Sequence, residues 1–449
     1  MMPATPPPVD TAALLRVTDA AELAGRVGAC QHPITLTGQR LLVDADTGQI
    51  LSRLDPTGTH ATVRCRSRRA TTCPTCARLY RLDAYHLIAA GLRGGKATPE
   101  TVASRPRLFV TLTAPSFGQV HLGPDRHGVP RCCHPAACGR WHRLGDPLIG
   151  TPIDASRYDY VGQVLFNAHA GLLWARLCTE IRRALADVGG VSRAEAAAMV
   201  RVVFAKVAEF QTRGVVHFHA IMRLDGPSGP ATTPPGWATT AALSTAIRAA
   251  ARRTRVPTPA TGTVAVRRLR FGRQLDIQHL NTGGGVSEVA VASYIAKYAT
   301  KTAEVTGVVL PPLYCQSCGG HGTRPSGDDS GSHRWCRACS GTGRRRGVDL
   351  TGPGDHARAL VDTCWRLGGQ PALQHLKLRR WAHQLGYRGH VTTKSRTYST
   401  TFGALRGERR DFAHHHLTEQ LGVDPDTPVL VVGDWRYTGP ATGTHGGAP

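Results

Sequence analysis

Residues 206–222 read KVAEFQTRGVVHFHAIM and place two histidines in an otherwise apolar run. Residues that favour β-strands flank the central Gln-Thr-Arg-Gly, which predicts a β-hairpin. Side chains two residues apart on a strand point to the same face, so His217 and His219 share a face while Phe218 packs into the core. Two adjacent imidazoles on a sheet suit a divalent metal ion.

A carboxylate accompanies the histidines. If residues 211–213 form the hairpin loop, Glu209 faces Val215 and lies diagonal to His217 on the same face. One carboxylate and two imidazoles are a suitable ligand set for Mg²⁺ or Mn²⁺. About one His-x-His spacing is expected by chance in this composition, and residues 414–416 contain another, in a polar setting. Two half-buried histidines at a sheet edge are therefore the alternative interpretation.

Residues 287–301, SEVAVASYIAKYATK, predict a helix with Ser287 or Thr282 near its N-cap. At about 100° per residue, one arc of about 100° holds two phenols and two ammonium groups. These belong to Tyr294, Tyr298, Lys297 and Lys301. The opposite face is predicted to pack through small residues: Val289, Ala292, Ala296, Ala299 and Ala303.

This helix face suits attack on a phosphodiester. A phenol with its ordinary pKa near 10 is a poor nucleophile, and a nearby Lys⁺ favours the phenolate and also binds phosphate. A metal ion opposite would polarise the scissile phosphate. The alternative is an amphipathic helix with a basic face and packed tyrosines.

The charge balance indicates a polyanionic partner. The chain has 449 residues, enough for two or three domains, with 55 Lys+Arg against 31 Asp+Glu and a formal charge of +24. Nucleic acid is the simplest such partner. An arginine-rich codon bias is the alternative, although it does not explain the low acid content.

The sequence has no apolar run long enough for a membrane span and no secretory signal. We therefore expect a cytoplasmic bacterial protein with no membrane partner. In a reducing compartment its 13 cysteines are better interpreted as metal ligands than as disulfides.

Three ordered segments resemble the motifs of HUH endonucleases of the rolling-circle replication initiator type. They are LFVTLT (108–113), Glu209 with HFH (217–219), and YIAKYATK (294–301). The double-tyrosine helix is similar to that of two-tyrosine initiators. Longer phrases, among them VTLTAPSFG (110–118), resemble initiators of actinobacterial plasmids and integrative elements. The resemblance extends from about residue 28 to 410.

The resemblance implies an α+β fold whose ferredoxin-like core is a central antiparallel sheet with helices. It also implies metal-dependent nicking of one strand at a replication origin, leaving a 5′-phosphotyrosine and a free 3′-OH. His217, His219 and Glu209 would bind the catalytic Mg²⁺ or Mn²⁺, and Tyr294 and Tyr298 would be nucleophiles. Lysines would assist, Lys297 foremost.

The implied partner is origin DNA, single-stranded or cruciform. A host helicase and polymerase are also expected, because the sequence has no Walker-type phosphate loop. A transposase or relaxase of the same chemistry is one alternative, although motif order argues against a conjugative relaxase. A non-enzymatic, zinc-dependent DNA-binding regulator is another, and it would not need the tandem tyrosines.

Cysteine spacing predicts one to three structural Zn²⁺ sites. The paired CxxC motifs of Cys315, Cys318, Cys336 and Cys339 are the stronger signal. A second set comprises Cys30, Cys65, Cys73 and Cys76, with His32 as an alternative to Cys30. A third, weaker set comprises Cys133, Cys138 and His142. Relatives often carry a CxxC before the motif at 158–160, and Asp154, which stands there, could replace a ligand.

Basic residues near the C-terminus are candidate DNA contacts. They are Arg344, Arg345 and Arg346 after the second CxxC pair, and Lys394 and Arg396 within a basic stretch at 379–396. A solvated basic surface is the alternative interpretation.

These features divide the chain into six predicted segments. They are a flexible N-terminus (1–27), a Cys-rich zinc-binding region (28–100), a nickase core (101–304, with a Cys/His insertion at 118–160), a zinc knuckle (305–347), a basic DNA-contacting region (348–436) and a disordered tail (437–449).

Overall fold

The structure is a computed structural model of the chain. It describes residues 27–53, 60–125, 127–280, 287–301, 303–326, 332–350, 354–420 and 428–440. The predicted flexible N-terminus lies outside the described residues except for its last residue. The predicted tail begins within a strand that continues to Pro440, and its remainder lies outside the described residues.

The described residues form strands and helices in a mixed α+β arrangement. The strands are β1 Ile34–Asp44, β2 Ile50–Arg53, β3 His60–Val63, β4 Arg107–Leu112, β5 Arg201–Phe210, β6 Val216–Asp225, β7 Val256–Pro257, β8 Arg268–Leu269, β9 Leu275–His279, β10 Thr323–Pro325, β11 His333–Trp335, β12 Thr392–Lys394 and β13 Val429–Pro440. The helices are α1 Pro74–Arg93, α2 Tyr160–Gly189, α3 Arg193–Met199, α4 Thr240–Arg253, α5 Glu288–Tyr298, α6 Asp355–Leu367 and α7 Phe402–Gln420. The α+β class predicted from the sequence is confirmed.

The chain divides into two compact units. One comprises residues 1–84 and 401–449, and the other comprises residues 85–400. The predicted segments 28–100 and 348–436 therefore each span both units. No helix in the part of the chain that the structure describes is long and apolar enough to cross a bilayer.

The first unit is built on β1. Strand β13 pairs with it antiparallel along its whole length, and β2 and β3 pair with its other edge. Helix α7 is held to the middle of α1 by a bidentate ion pair, in which Arg409 donates to both carboxylate oxygens of Asp83 at 2.6 and 2.9 Å. The rings of Tyr80 and Phe402 stack beside it.

The second unit contains a five-stranded antiparallel sheet in the order β12-β5-β6-β4-β9. Phe218 of the central strand β6 is fully buried against Trp174 of α2. His217 and His219 point to the opposite face, where His219 meets the tyrosines of α5. Alternation along β6 thus separates an apolar face from a polar one, as predicted.

The hairpin register differs from the predicted one by two residues, so Glu209 stays on the same face of the sheet as the histidines. Glu209 pairs directly with His217, not with Val215. The Gln211 N–H donates to the Val215 carbonyl, so the loop is 212–214. Gly214 has φ of +78°, a left-handed conformation that places it in the turn, because glycine adopts it without steric cost.

One buried amide joins three parts of this unit. Asn167 of α2 is fully buried, and its amide nitrogen donates to the carbonyls of Gly214 and Leu385, each at 2.9 Å. Its side-chain oxygen accepts from the Val216 N–H at 3.0 Å. These bonds fix the start of β6 against the long helix.

Replacing Asn167 with alanine should therefore destabilise the protein by roughly 3 kcal/mol, because three buried backbone groups lose their partners. Urea denaturation measures the loss. Gly171→Ala on the same helix is the control, since an added Cβ there meets no atom within 4 Å. Equal stability of Asn167→Ala and the wild type would show that this amide does not secure the hairpin.

Candidate metal and nucleophile site

Three side chains converge on the polar face of β5 and β6. Glu209 Oε2 lies 2.8 Å from the Nε2 atoms of both His217 and His219, and those two nitrogens are 3.1 Å apart. The structure brings together all three predicted ligands of the catalytic metal. Glu209 reaches both rings because it lies directly opposite His217.

The spacing fits a metal ion held by one triangular face of an octahedron. Ligands about 2.1 Å from an ion and at right angles to one another lie roughly 3.0 Å apart. The three observed separations of 2.8, 2.8 and 3.1 Å match this value. Such a face leaves three coordination positions for water or phosphate oxygens.

The other ring nitrogens have partners that orient the imidazoles. His219 Nδ1 lies 3.0 Å from Thr111 Oγ1 on β4, and His217 Nδ1 lies 3.5 Å from the Gln211 amide nitrogen. A partner on the second nitrogen fixes the ring and its tautomer, which directs Nε2 toward an ion. Neither of these two positioning residues was predicted from the sequence, although Thr111 lies within the LFVTLT segment.

The electrostatics of the site favour cation binding. Burial alone raises the pKa of Glu209, but hydrogen bonds from His217 and His219 outweigh burial and lower this pKa to about 2. Burial lowers the pKa of His219. The site therefore presents a carboxylate and a neutral imidazole at neutral pH, which are the protonation states that bind a metal ion.

Helix α5 brings both tyrosines to the three predicted metal ligands. It is capped by Ser287, whose hydroxyl accepts from the Ala290 N–H, and it ends at Tyr298. The ring centroid of His219 lies 5.1 Å from that of Tyr294 and 5.6 Å from that of Tyr298. The two tyrosine rings are 4.7 Å apart. The predicted clustering of the tyrosines on one helix face is present in the structure.

The packed face of α5 differs from prediction at one residue. Val289 is 51% exposed, whereas Val291 and Ile295 are buried with the predicted alanines. The predicted arc was centred on the small residues. In the structure, the larger Val291 and Ile295 set the buried side, because they remove more apolar surface from water.

The lysines contact one tyrosine. Lys301 Nζ lies 4.8 Å from the ring centre of Tyr298, and Lys297 Nζ lies 5.9 Å from it. Burial raises the pKa of Tyr294 well above its usual value, and Tyr298 and Glu209 raise it further. Burial and the charge of Glu209 also raise the pKa of Tyr298, but a hydrogen bond from Tyr294 opposes that rise.

Two cysteine groups have the geometry of tetrahedral zinc sites. Four sulfurs about 2.3 Å from zinc lie roughly 3.8 Å apart. Cys315–Cys336 and Cys318–Cys339 are separated by 3.9 and 3.8 Å. Cys30 lies 3.9 Å from Cys73 and 3.7 Å from Cys76, with Cys65 completing the set. The structure thus assembles the two predicted cysteine sets, and Cys30 takes the place for which His32 was the alternative.

The third cysteine/histidine group contains a histidine that was not predicted from the sequence. His121 joins Cys133, Cys138 and His142. The Cys138 sulfur lies 3.4 Å from His121 Nδ1 and 3.5 Å from His142 Nε2, close to the spacing of roughly 3.6 Å expected around zinc. No short spacing motif links His121 to the cysteines, because the chain returns to it across a loop.

Asp154 does not belong to the third group. Its carboxylate accepts from the backbone and hydroxyl of Ser156 and begins a short 3-10 turn. Instead, the carboxylate near the group is that of Asp146, which accepts from His142 Nδ1 at 2.6 Å. The suggestion that Asp154 replaces a ligand is therefore wrong.

Three of the predicted DNA contacts make side-chain bonds within the chain. Lys394 Nζ donates to the carbonyls of three residues of the turn that follows β12. Arg344 forms an ion pair with Asp362 and lies over the ring of Trp365. Arg346 donates to the Ser340 hydroxyl. Contact of these three residues, and of Arg345 and Arg396, with DNA stays a prediction.

The comparisons with known proteins agree with one another. A family model described as RepSA, replication initiator protein, pSAM2, matches residues 16–448. A replication initiator protein of Streptomyces ambofaciens is 44% identical over 456 residues, covering 97% of this chain and 90% of the relative. No solved structure matches the chain significantly.

The three zinc-site geometries predict about three Zn²⁺ per purified chain, counted by elemental mass spectrometry. His121→Asn should remove about one, because a tetrahedral site loses a ligand. His134→Asn is the matched control, since His134 lies in the same loop but outside the group. An unchanged zinc count in His121→Asn would exclude His121 as a ligand.

Proposed function

The chain belongs to the family of replication initiator proteins described for pSAM2, and we propose that it initiates rolling-circle replication by nicking one strand of origin DNA through a tyrosine of α5. The supporting observation is the contact of both tyrosine rings with His219, one of the three converging ligands. The reacting hydroxyl and a metal-bound phosphate would then meet in one place.

The proposed reaction is an exchange of phosphodiester bonds. The hydroxyl oxygen of a tyrosine attacks phosphorus, and the bond from phosphorus to the 3′ oxygen breaks. The 3′ oxygen takes up a proton and leaves as a free 3′-OH, which primes synthesis, while the 5′ phosphate stays on the tyrosine. Glu209, His217 and His219 would hold Mg²⁺ or Mn²⁺, which polarises the phosphate when bound.

The asymmetry of the tyrosine pair favours Tyr298 as the first nucleophile. Its ring lies 4.7 Å from that of Tyr294, whose hydroxyl lowers the pKa of Tyr298, and both lysines lie near the Tyr298 ring. Each of these contacts favours the phenolate. Tyr294 would then serve a second transfer, such as the one that ends a round of replication.

The sheet supports an HUH core of ferredoxin-like type. The two histidines lie on the middle strand of five, and the neighbouring β4 supplies Thr111 behind them. Zinc modules inserted in and added to that core would complete the architecture. Family membership favours an origin as the target over the ends of a transposon, and the tyrosine geometry favours an enzyme over a passive regulator.

Origin DNA, single-stranded or cruciform, is the proposed partner, and a host helicase and polymerase would extend the 3′-OH. The bacterial cytoplasm is the proposed place of action. The excess of positive charge supports binding to a nucleic acid.

Mutation of both tyrosines tests the proposed reaction. Tyr298→Phe should reduce the covalent adduct with an origin oligonucleotide more than Tyr294→Phe does, and the double change should abolish it. Mass spectrometry of the adduct identifies the tyrosine that carries DNA. An undiminished adduct in the double variant would refute a tyrosine nucleophile.

Metal binding tests the roles of Glu209, His217 and His219 separately from the nicking reaction. Thr111→Val should weaken Mn²⁺ binding about 10- to 100-fold, because His219 loses the partner that orients it. Thr111→Ser keeps the hydroxyl and should bind as the wild type does, as calorimetry can measure. His217→Ala should stop metal-dependent nicking without changing the zinc content. Mn²⁺ affinity equal in Thr111→Val and the wild type would contradict the positioning role.

A further inference from the structure

A cleft of about 960 Å³ opens beside the metal and nucleophile site. Its walls come from the end of β4, the β5–β6 loop, the end of α4 and the segment that leads into β9. Six arginines line it: Arg213, Arg248, Arg252, Arg255, Arg270 and Arg273. None of the other lining residues is acidic.

The positive charge in this cleft is not neutralised by the protein. Within the described part of the chain, none of the six arginines forms an ion pair with a carboxylate. Arg248, Arg270 and Arg273 are exposed and make no hydrogen bond to described residues. Converging unpaired cations repel one another, and an anionic ligand relieves that repulsion.

The cleft connects to the metal-binding histidines through side chains. Arg213 Nε donates to the Gln211 side-chain oxygen at 2.9 Å, and the amide nitrogen of Gln211 lies 3.5 Å from His217 Nδ1. Gln211 therefore lines the cleft and also contacts His217, one of the three predicted metal ligands. A chain occupying the cleft would pass next to the site of reaction.

The segment carrying two of the arginines is anchored. The Gly272 N–H donates to the Thr113 carbonyl at 2.8 Å, and a Cβ on Gly272 would lie 2.5 Å from the Ala114 oxygen. Phe271 is buried against Phe218. Arg270 and Arg273 thus lie on either side of the anchored residues Phe271 and Gly272.

We propose that this arginine cleft binds the sugar–phosphate backbone of the single strand that is continuous with the scissile phosphate, an inference that rests on the proposed function. The charge is suited to phosphates. The one aromatic residue of the lining, Phe271, is buried in the core, so bases have no ring in the cleft to stack on. Binding there would depend little on base sequence and strongly on salt.

The test compares two triple variants of the full-length protein. Arg248→Gln/Arg270→Gln/Arg273→Gln removes three charges from the cleft. The control, Arg182→Gln/Arg193→Gln/Arg201→Gln, removes three exposed arginines that line a second cavity. Binding of a fluorescein-labelled mixed-sequence single-stranded 30-mer is followed by fluorescence anisotropy across a salt series, with no added Mg²⁺ or Mn²⁺.

The plot of log affinity against log salt concentration should be less steep by about 2 for the cleft variant than for the wild type. The reason is that three phosphate contacts are lost, and each contributes about 0.7 to the slope for a single strand. When the salt concentration is lowered from 1 M to 0.1 M, the affinity of the wild type should therefore rise about 100-fold more than that of the cleft variant. The control variant should keep the wild-type slope. A charge-conserving Arg248→Lys/Arg270→Lys/Arg273→Lys variant should keep it too, which separates lost charge from misfolding.

A cleft variant with the wild-type slope, or equal losses in both triple variants, would overturn the proposal. So would loss of binding in the lysine variant, because it would trace the effect to the fold. A different result would overturn the proposed function. In that case the wild-type protein binds the single strand, but no covalent tyrosine–DNA adduct forms when origin DNA and Mg²⁺ or Mn²⁺ are added. The two failures are therefore distinguishable.

Discussion

Direct pairing of Glu209 with His217 across the β5–β6 hairpin is the constraint on which the site depends. Strand side chains alternate between faces, so a slip of one residue would place Glu209 on the opposite face from the histidines. The turn that prevents the slip needs Gly214 in a left-handed conformation and Asn167 bound to the Gly214 carbonyl and the Val216 N–H. A short turn and one buried amide thus determine whether three ligands meet.

The two faces of the five-stranded sheet differ in polarity and in what they contact. One is closed by α2 through Trp174 and Phe218, and this apolar packing stabilises the sheet. The other carries the histidines, the tyrosines and the edge of the arginine cleft. Because the apolar face holds the strands rigid, the polar face keeps the ligand spacing without a large core of its own.

The site was more predictable from sequence than its surroundings were. Strand alternation placed His217 and His219 on one face, and helical spacing placed Tyr294 near Tyr298, because both are local rules. The hairpin register was two residues off, because the loop was taken as 211–213, whereas the positive φ of Gly214 places that residue in the turn. The place of His121 in the third cysteine/histidine group and the arginine cleft were not predicted. The residues of each site come from separate segments of the chain, and only the tertiary fold brings them together.

The pairing of β1 with β13 has a consequence for the order of synthesis. One strand lies near the beginning of the chain and the other near its end, so a ribosome releases β1 long before its partner exists. Until then one edge of β1 stays open, and an unpaired edge is a template for association with other chains. The unit that contains the metal and nucleophile site needs neither strand, so it can fold first. A chain cut short after residue 400 would carry all the residues of the candidate site but would lack β13, which leaves one edge of β1 unpaired.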